Sequence, residues 1–296
     1  MAASPAMIKE LRERTQAGML DCKKALEETN GNMEEAIDYL RKKGIAKAAK
    51  KAGRVAAEGL VFAVVSADGK TGAMVEFNSE TDFVAKNDEF KSFGETLATT
   101  VLNGDFADVE ALKKATVNGK TIEESLTELI AKIGENMNIR RFEKLTSPEG
   151  FVASYIHMGG KIGVLLSVKG EANEDNKNIA KDVTMHIAAI APKFMVKTEV
   201  TTEVLDKEKE IARVQLEAEG KPANVIEKIL EGKMRKYYEE NCLVEQKFVK
   251  NPDVTITQLT KGKMDILAFN RYLLGEGIEK EEVDFAEEVR KTVQGS

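Results

Sequence analysis

Two cysteines, two histidines and no tryptophan in 296 residues leave little material for a disulfide framework, a metal centre or histidine-based catalysis. Cys22 and Cys242 stand 220 positions apart with no CxxC spacing, so buried thiols are expected rather than a bridge or a zinc site. No uninterrupted apolar run approaches the roughly 20 residues that span a bilayer, and no membrane partner is expected. The opening MAASPAM has neither a basic stretch followed by an apolar one nor an Arg- and Ser-rich amphipathic presequence, so the expected location is the cytoplasm. No charge of one sign dominates. Forty-four basic against 50 acidic residues give a net charge of −6, which confines any phosphate binding to a local patch. A G-x-x-x-x-G-K-[ST] phosphate loop is absent, and Gly275-Glu276-Gly277 lacks the third glycine and the strand-to-helix setting of a dinucleotide fingerprint. Neither direct nucleotide binding nor a cofactor is expected.

What is present is a chain of 42% hydrophobic and 32% charged residues, long enough for two or three modules with real cores. Residues 5 to 43 read as three short amphipathic helices, marked by Ile8 and Leu11, by Leu20, Ala25 and Leu26, and by Met33, Ala36, Ile37 and Leu40. Thr15-Gln16-Ala17-Gly18 separates the first two, Asn30-Gly31 breaks the chain before the third, and Asn32 is its expected N-cap. The run RKKGIAKAAKKAGR, residues 41 to 54, has seven basic residues and no acidic ones. It reads either as a nucleic-acid or acidic-partner contact or as a solvated helical linker; the lack of interleaved aromatics favours the linker.

The middle of the chain is faintly duplicated. Glu58-Gly59-Leu60-Val61 returns as Glu149-Gly150-Phe151-Val152 and Gly72-Ala73-Met74-Val75 as Gly163-Val164-Leu165-Leu166, both displaced by 91 positions. Each copy reads as an antiparallel hairpin, turned at 67–70 and at 158–161, followed by a helix at about 86–103 and 174–190. Met137 to Phe142 corresponds to Met264 to Phe269 at a displacement of 127, so the second β-β-α…β unit carries 36 more residues. These are expected in 201–240 as an αα-hairpin, with Leu205, Ile211, Val214 and Leu216 lining one helix and Val225, Ile226, Ile229, Leu230 and Met234 the other, on either side of Gly220-Lys221-Pro222; the apolar stripe can pack on its own core, on a partner or on a second copy. A last helix is expected at about 281–293.

The fold class is therefore α+β. Its expected division is a three-helix module with the basic linker at 1–54, a first core unit at 55–146, a second at 147–275 containing the hairpin, and a C-terminal helical module at 276–296. No catalytic constellation emerges. His157 lacks a nucleophile motif, and His186 sits in an apolar helix pattern that suits a packed core histidine. Asn78 to Asn87 is unusual because Phe83 and Val84 follow acidic residues at a strand-to-helix corner, a place from which a rigid scaffold presents side chains.

Arg14 to Leu26 (RTQAGMLDCKKAL), Thr81 to Lys86 (TDFVAK), Lys132 to Arg141 (KIGENMNIRR), Tyr155-Ile156-His157 and Gly275 to Lys280 (GEGIEK) together resemble bacterial translation elongation factor Ts, in family order and over nearly the whole chain. Lys161 stands where many members carry arginine, and Leu20 where some carry a second methionine. The resemblance implies a guanine-nucleotide exchange factor that binds elongation factor Tu·GDP and is not an enzyme. It implies that Thr81, Asp82, Phe83 and Val84 disturb the partner's magnesium and nucleotide site, Asp82 and Phe83 by insertion. By the same resemblance, Arg12, Met19, Leu20 and Lys23 dock on the partner's nucleotide-binding domain and His157 faces another partner domain. The N-terminal module is similar to ubiquitin-associated modules, and the αα-hairpin to a protrusion through which some members form homodimers. The alternative is an RNA- or ribosome-binding protein using 41–54.

Overall fold

Asn30 and Gly31 both turn left-handed (φ 51° and 85°), and Asn32 then accepts from the backbone N–H groups of Glu34 and Glu35 at 3.1 and 3.3 Å. This reversal joins the second and third helices in the computed structural model, which describes residues 3–15 and 17–279. Helices α1 (Pro5–Thr15), α2 (Met19–Glu28) and α3 (Met33–Ala49) close around Leu11, Cys22, Ala25, Leu26 and Ala36. Leu20 is not part of that core; it points outward from the first turn of α2. The alanines and lysines of the basic run carry α3 far past the small module, as their helix propensity dictates.

The first repeat comprises β1 (Glu58–Val65), β2 (Thr71–Ser79), α4 (Asp82–Ala85), α5 (Asp88–Asn103), α6 (Val109–Lys113), β3 (Thr116–Val117), β4 (Lys120–Thr121), α7 (Ile122–Ile133) and β5 (Met137–Thr146). The second comprises β6 (Gly150–His157), β7 (Ile162–Lys169), α8 (Glu174–Ile190), α9 (Thr202–Ala218), α10 (Ala223–Asn241), β8 (Lys247–Phe248), β9 (Asn251–Thr255), α11 (Ile256–Thr260) and β10 (Asp265–Leu273). Strand orders β1-β2-β5 and β6-β7-β10 are the same antiparallel meander. Even the irregularities repeat. Arg140 bulges between the residues opposite Glu76 and Phe77, and Leu267 bulges between those opposite Ser167 and Val168, at the displacements of 91 and 127 read from the sequence. The helix expected at 86–103 is α5, capped by Asn87, and a short extra turn, α4, capped by Thr81, precedes it.

Alternation along the strands sets four layers. One face of the first sheet, with Ala73, Val75 and Phe77, packs under α5 and α7; one face of the second, with Val164, Leu166 and Val168, packs under α8 and α11. Their other faces meet through Val61, Met74, Val152, Leu165 and Tyr272. The two sheets approach reciprocally: a Cβ on Gly72 would collide with Val152, and one on Gly163 with the matching Val61. Likewise Val61 donates to Gly160 and Val152 donates to Gly69, each at 2.8 Å, so each turn braces the other repeat's strand.

The extra residues form α9 and α10, whose shared core is only Ala212, Leu216, Ile226 and Leu230 with Ile229. Ile211, Val214 and Val225 of the apolar stripe face solvent, because two helices bury only the narrow seam between them. The helix expected over 281–293 lies outside the described residues. Among the described residues, no helix is long and apolar enough to cross a membrane.

Candidate functional site

The corner at 80–85 is built by pinning everything except two side chains. Thr81 donates its backbone N–H to Glu135 Oε2 at 3.0 Å and its hydroxyl to Glu135 Oε1 at 2.7 Å, while its oxygen caps α4 by accepting from the Val84 N–H at 3.4 Å. Glu80 accepts from the Asn136 N–H and from Arg54. Gly134, left-handed at φ 90°, ends α7 and turns Glu135 and Asn136 towards the corner. Val84 and Ala85 are buried in the first core. Phe83 is left 79% exposed, and beside it Asp82 pairs with Lys86 at 2.7 Å. Lys86 also lies over the Phe83 ring, 5.4 Å from its centroid. The hydrogen bond from Lys86 holds the Asp82 carboxyl below its usual range, and Glu58 and Lys161 act on it electrostatically. Of the four residues in the segment, then, Asp82 and Phe83 project, Thr81 is the tether and Val84 the anchor.

The other site residues lie on two surfaces. Arg12 on α1 and Met19, Leu20 and Lys23 on α2 flank the 15–18 connection and are all exposed, Met19 at 61% and Leu20 at 82%. Cys22 behind them is buried, and burial pushes its thiol upward. Two adjacent large apolar side chains in water at the start of a helix gain nothing for the fold and suit an anchor.

His157 ends β6 at the tip of the second hairpin, exposed, with Nδ1 2.9 Å from the Tyr155 hydroxyl. Its exposed neighbours Ile156 and Met158 make that tip apolar, which the sequence had not indicated. The turn that follows contains Lys161, paired with Glu58 at 2.8 Å, so this tip and Asp82 share one electrostatic neighbourhood. His186 is a core residue: its Nδ1 accepts from the Val249 N–H at 3.2 Å, its Nε2 lies 2.9 Å from Gln246 Oε1, and burial lowers its pKa. Among the described residues, no group of three or more His, Cys, Asp or Glu side chains could hold a metal ion.

Sequence reasoning missed three supporting carboxylates. Glu135 and Glu80 hold the corner, and the signals were the place of Glu135 in the Lys132 to Arg141 motif and of Glu80 in the unusual segment Asn78 to Asn87. Glu76 is fully buried, yet it receives Arg140 at 2.9 Å, Arg141 at 2.6 Å and the Gly275 N–H at 2.8 Å. Burial pushes its carboxyl up, but the Gly275 N–H and the two guanidiniums outweigh that and hold it below the usual range. Arg141 in turn stacks on Tyr272, 4.1 Å from its ring centroid. The Gly275-Glu276-Gly277 segment is thus tied into the first sheet.

Comparison with known proteins gives a consistent result. The family model described as Elongation factor TS matches residues 80–276. Elongation factor Ts of Halothermothrix orenii is 52% identical over 297 residues, covering 99% of each chain. Those of Clostridium kluyveri and a Nitratiruptor species are each 51% identical over 300 residues, covering 98% of each chain.

Proposed function

Because the chain belongs to the elongation factor Ts family, and so to the translation elongation factors, we propose that it is a guanine-nucleotide exchange factor for elongation factor Tu. The observation that carries this reading is the corner itself, where a 79% exposed Phe83 and an adjacent carboxylate stand on a backbone tied down on both sides. A probe inserted into another protein must be stiff, since each mobile side chain or loop ordered on binding subtracts from the work it can do. Magnesium demands near-octahedral oxygen geometry, so a displacement of the loop that supports it loosens its hold on the diphosphate. Asp82 and Phe83 supply that displacement, and Arg12, Met19, Leu20, Lys23 and His157 supply the docking. The factor makes no covalent change. Linkage requires that nucleotide rebinding weaken the factor as much as the factor weakens nucleotide, and so it turns over.

Stopped-flow release of a fluorescent GDP from elongation factor Tu tests the reading. Wild-type protein accelerates release. Asp82→Ala with Phe83→Ala loses most of the acceleration while still binding, and its stability stays within about 0.5 kcal/mol of wild type, the small range of exposed substitutions. Full acceleration by the double variant would remove the segment from the mechanism.

A further inference from the structure

The basic run 41–54 spends most of its cations on acceptors within the molecule. Lys43 and Lys47 converge on Asp21 at 2.6 and 2.8 Å, which ties α3 to α2 one residue beyond the exposed Met19 and Leu20. Arg41 pairs with Glu124 at the start of α7, Lys51 donates to the Gly134 carbonyl at its end, and Arg54 pairs with Glu80 at 3.4 Å. Asn136 completes the joint by donating its side-chain amide to the Arg54 carbonyl at 2.7 Å. Five of the seven cations thus have intramolecular acceptors. Between these clamps α3 lies directly on α7, close enough that a Cβ at Gly44 would touch Ala131 at 3.5 Å.

In its second half α3 therefore holds, through Lys43 and Lys47, the face carrying Met19 and Leu20, and Arg54, five residues past the helix, reaches Glu80, next to the Thr81 tether of Phe83. We propose that residues 41–54 are an electrostatic strut that sets the separation between the docking face and the Asp82–Phe83 corner, with Asp21, Arg41, Lys43, Lys47, Lys51 and Arg54 as positioning residues. The inference rests on the exchange reading. Two contacts on one rigid body reach a single partner together, whereas a hinge between them lowers the effective concentration of the second. Partly exposed ion pairs are screened by salt, so the strut softens as ionic strength rises.

The test uses the full chain with spin labels at Lys24→Cys and Glu123→Cys, two exposed positions, the native thiols being buried. In wild type the interlabel distance distribution is narrow and broadens with salt. Lys43→Glu with Lys47→Glu broadens it at low salt and lowers the saturating rate of GDP release about five- to tenfold, and adding Asp21→Lys restores both. Lys43→Gln with Lys47→Gln serves if the reversed pair does not fold. An unchanged distribution and rate in the double variant overturn the strut. So does RNA retention at low salt that the double variant abolishes while exchange stays intact. If wild type fails to accelerate release, the exchange reading falls instead, and the distance distributions still decide whether the run is a strut.

Discussion

Glu135 receives both hydrogens that Thr81 can offer, the backbone N–H at 3.0 Å and the hydroxyl at 2.7 Å, across 54 positions of chain. Few contacts bear so directly on the site, because this one fixes the backbone from which Asp82 and Phe83 project. Glu135→Ala should cost about 1.5–3 kcal/mol, as expected for hydrogen bonds to a charged acceptor. It should also slow nucleotide release more than Glu135→Gln, which keeps an acceptor. A melting curve and the saturating release rate for the two variants check this; equal rates would mean the tether has no part in exchange.

Met19→Ala with Leu20→Ala should act on association. Both side chains are already in water, so the melting temperature should not move, while central apolar anchors cost about 2 kcal/mol or more each in affinity. Calorimetric titration against elongation factor Tu·GDP reads the difference, and unchanged affinity would place docking elsewhere.

Glu76 predicts an acid limit to stability. Its folded pKa lies below the usual 4.5, so its contribution is complete above that value and is lost as pH falls through the folded pKa, where the unfolded chain binds more protons. Glu76→Gln should lose about 3 kcal/mol at neutral pH by leaving Arg140 and Arg141 without their buried counter-charge. It should also flatten the decline of stability below that pH. Denaturant midpoints measured between pH 3 and pH 7 for both proteins test it, and parallel curves would refute the assignment.

Replacing 201–240 by a short Gly/Ser linker should leave the two sheets intact. The hairpin's core is its own, and its ends are already held together where Leu243 and Val244 donate to Phe194 and Met195 at 2.9 and 3.2 Å. Loop closure changes by only about 0.6 kcal/mol per doubling of length. Cooperative melting and accelerated GDP release should persist. Light scattering should show a lower mass if the hairpin holds a homodimer, and an unchanged mass would exclude that contact.

Much of the fold was legible because its signals are local or repeated. Asn32, the Asn30-Gly31 reversal and the stripes of α1 and α3 depend on neighbours within a turn. The two displacements, 91 and 127, placed every strand of the two meanders, and even the matched bulges obey them. What periodicity left open is which residues of a stripe are covered. Ile211 has helical spacing from buried neighbours yet is 46% exposed, and Leu20, in register with Ala25 and Leu26, is 82% exposed, as its expected docking role requires.

Hydrophobic period, caps and internal repetition thus lay down which segments are helix and strand, which strands are neighbours, and where a family motif begins. They carry no information about which distant group will satisfy a side chain. That Glu135 holds Thr81, that a buried Glu76 gathers two arginines and Gly275, and that five of the cations of 41–54 reach Asp21, Glu124, Gly134 and Glu80 all follow from packing between elements far apart in the chain. Each of these polar contacts is geometric to within a few tenths of an ångström, and such distances exist only after the sheets, α3 and α7 have closed on one another.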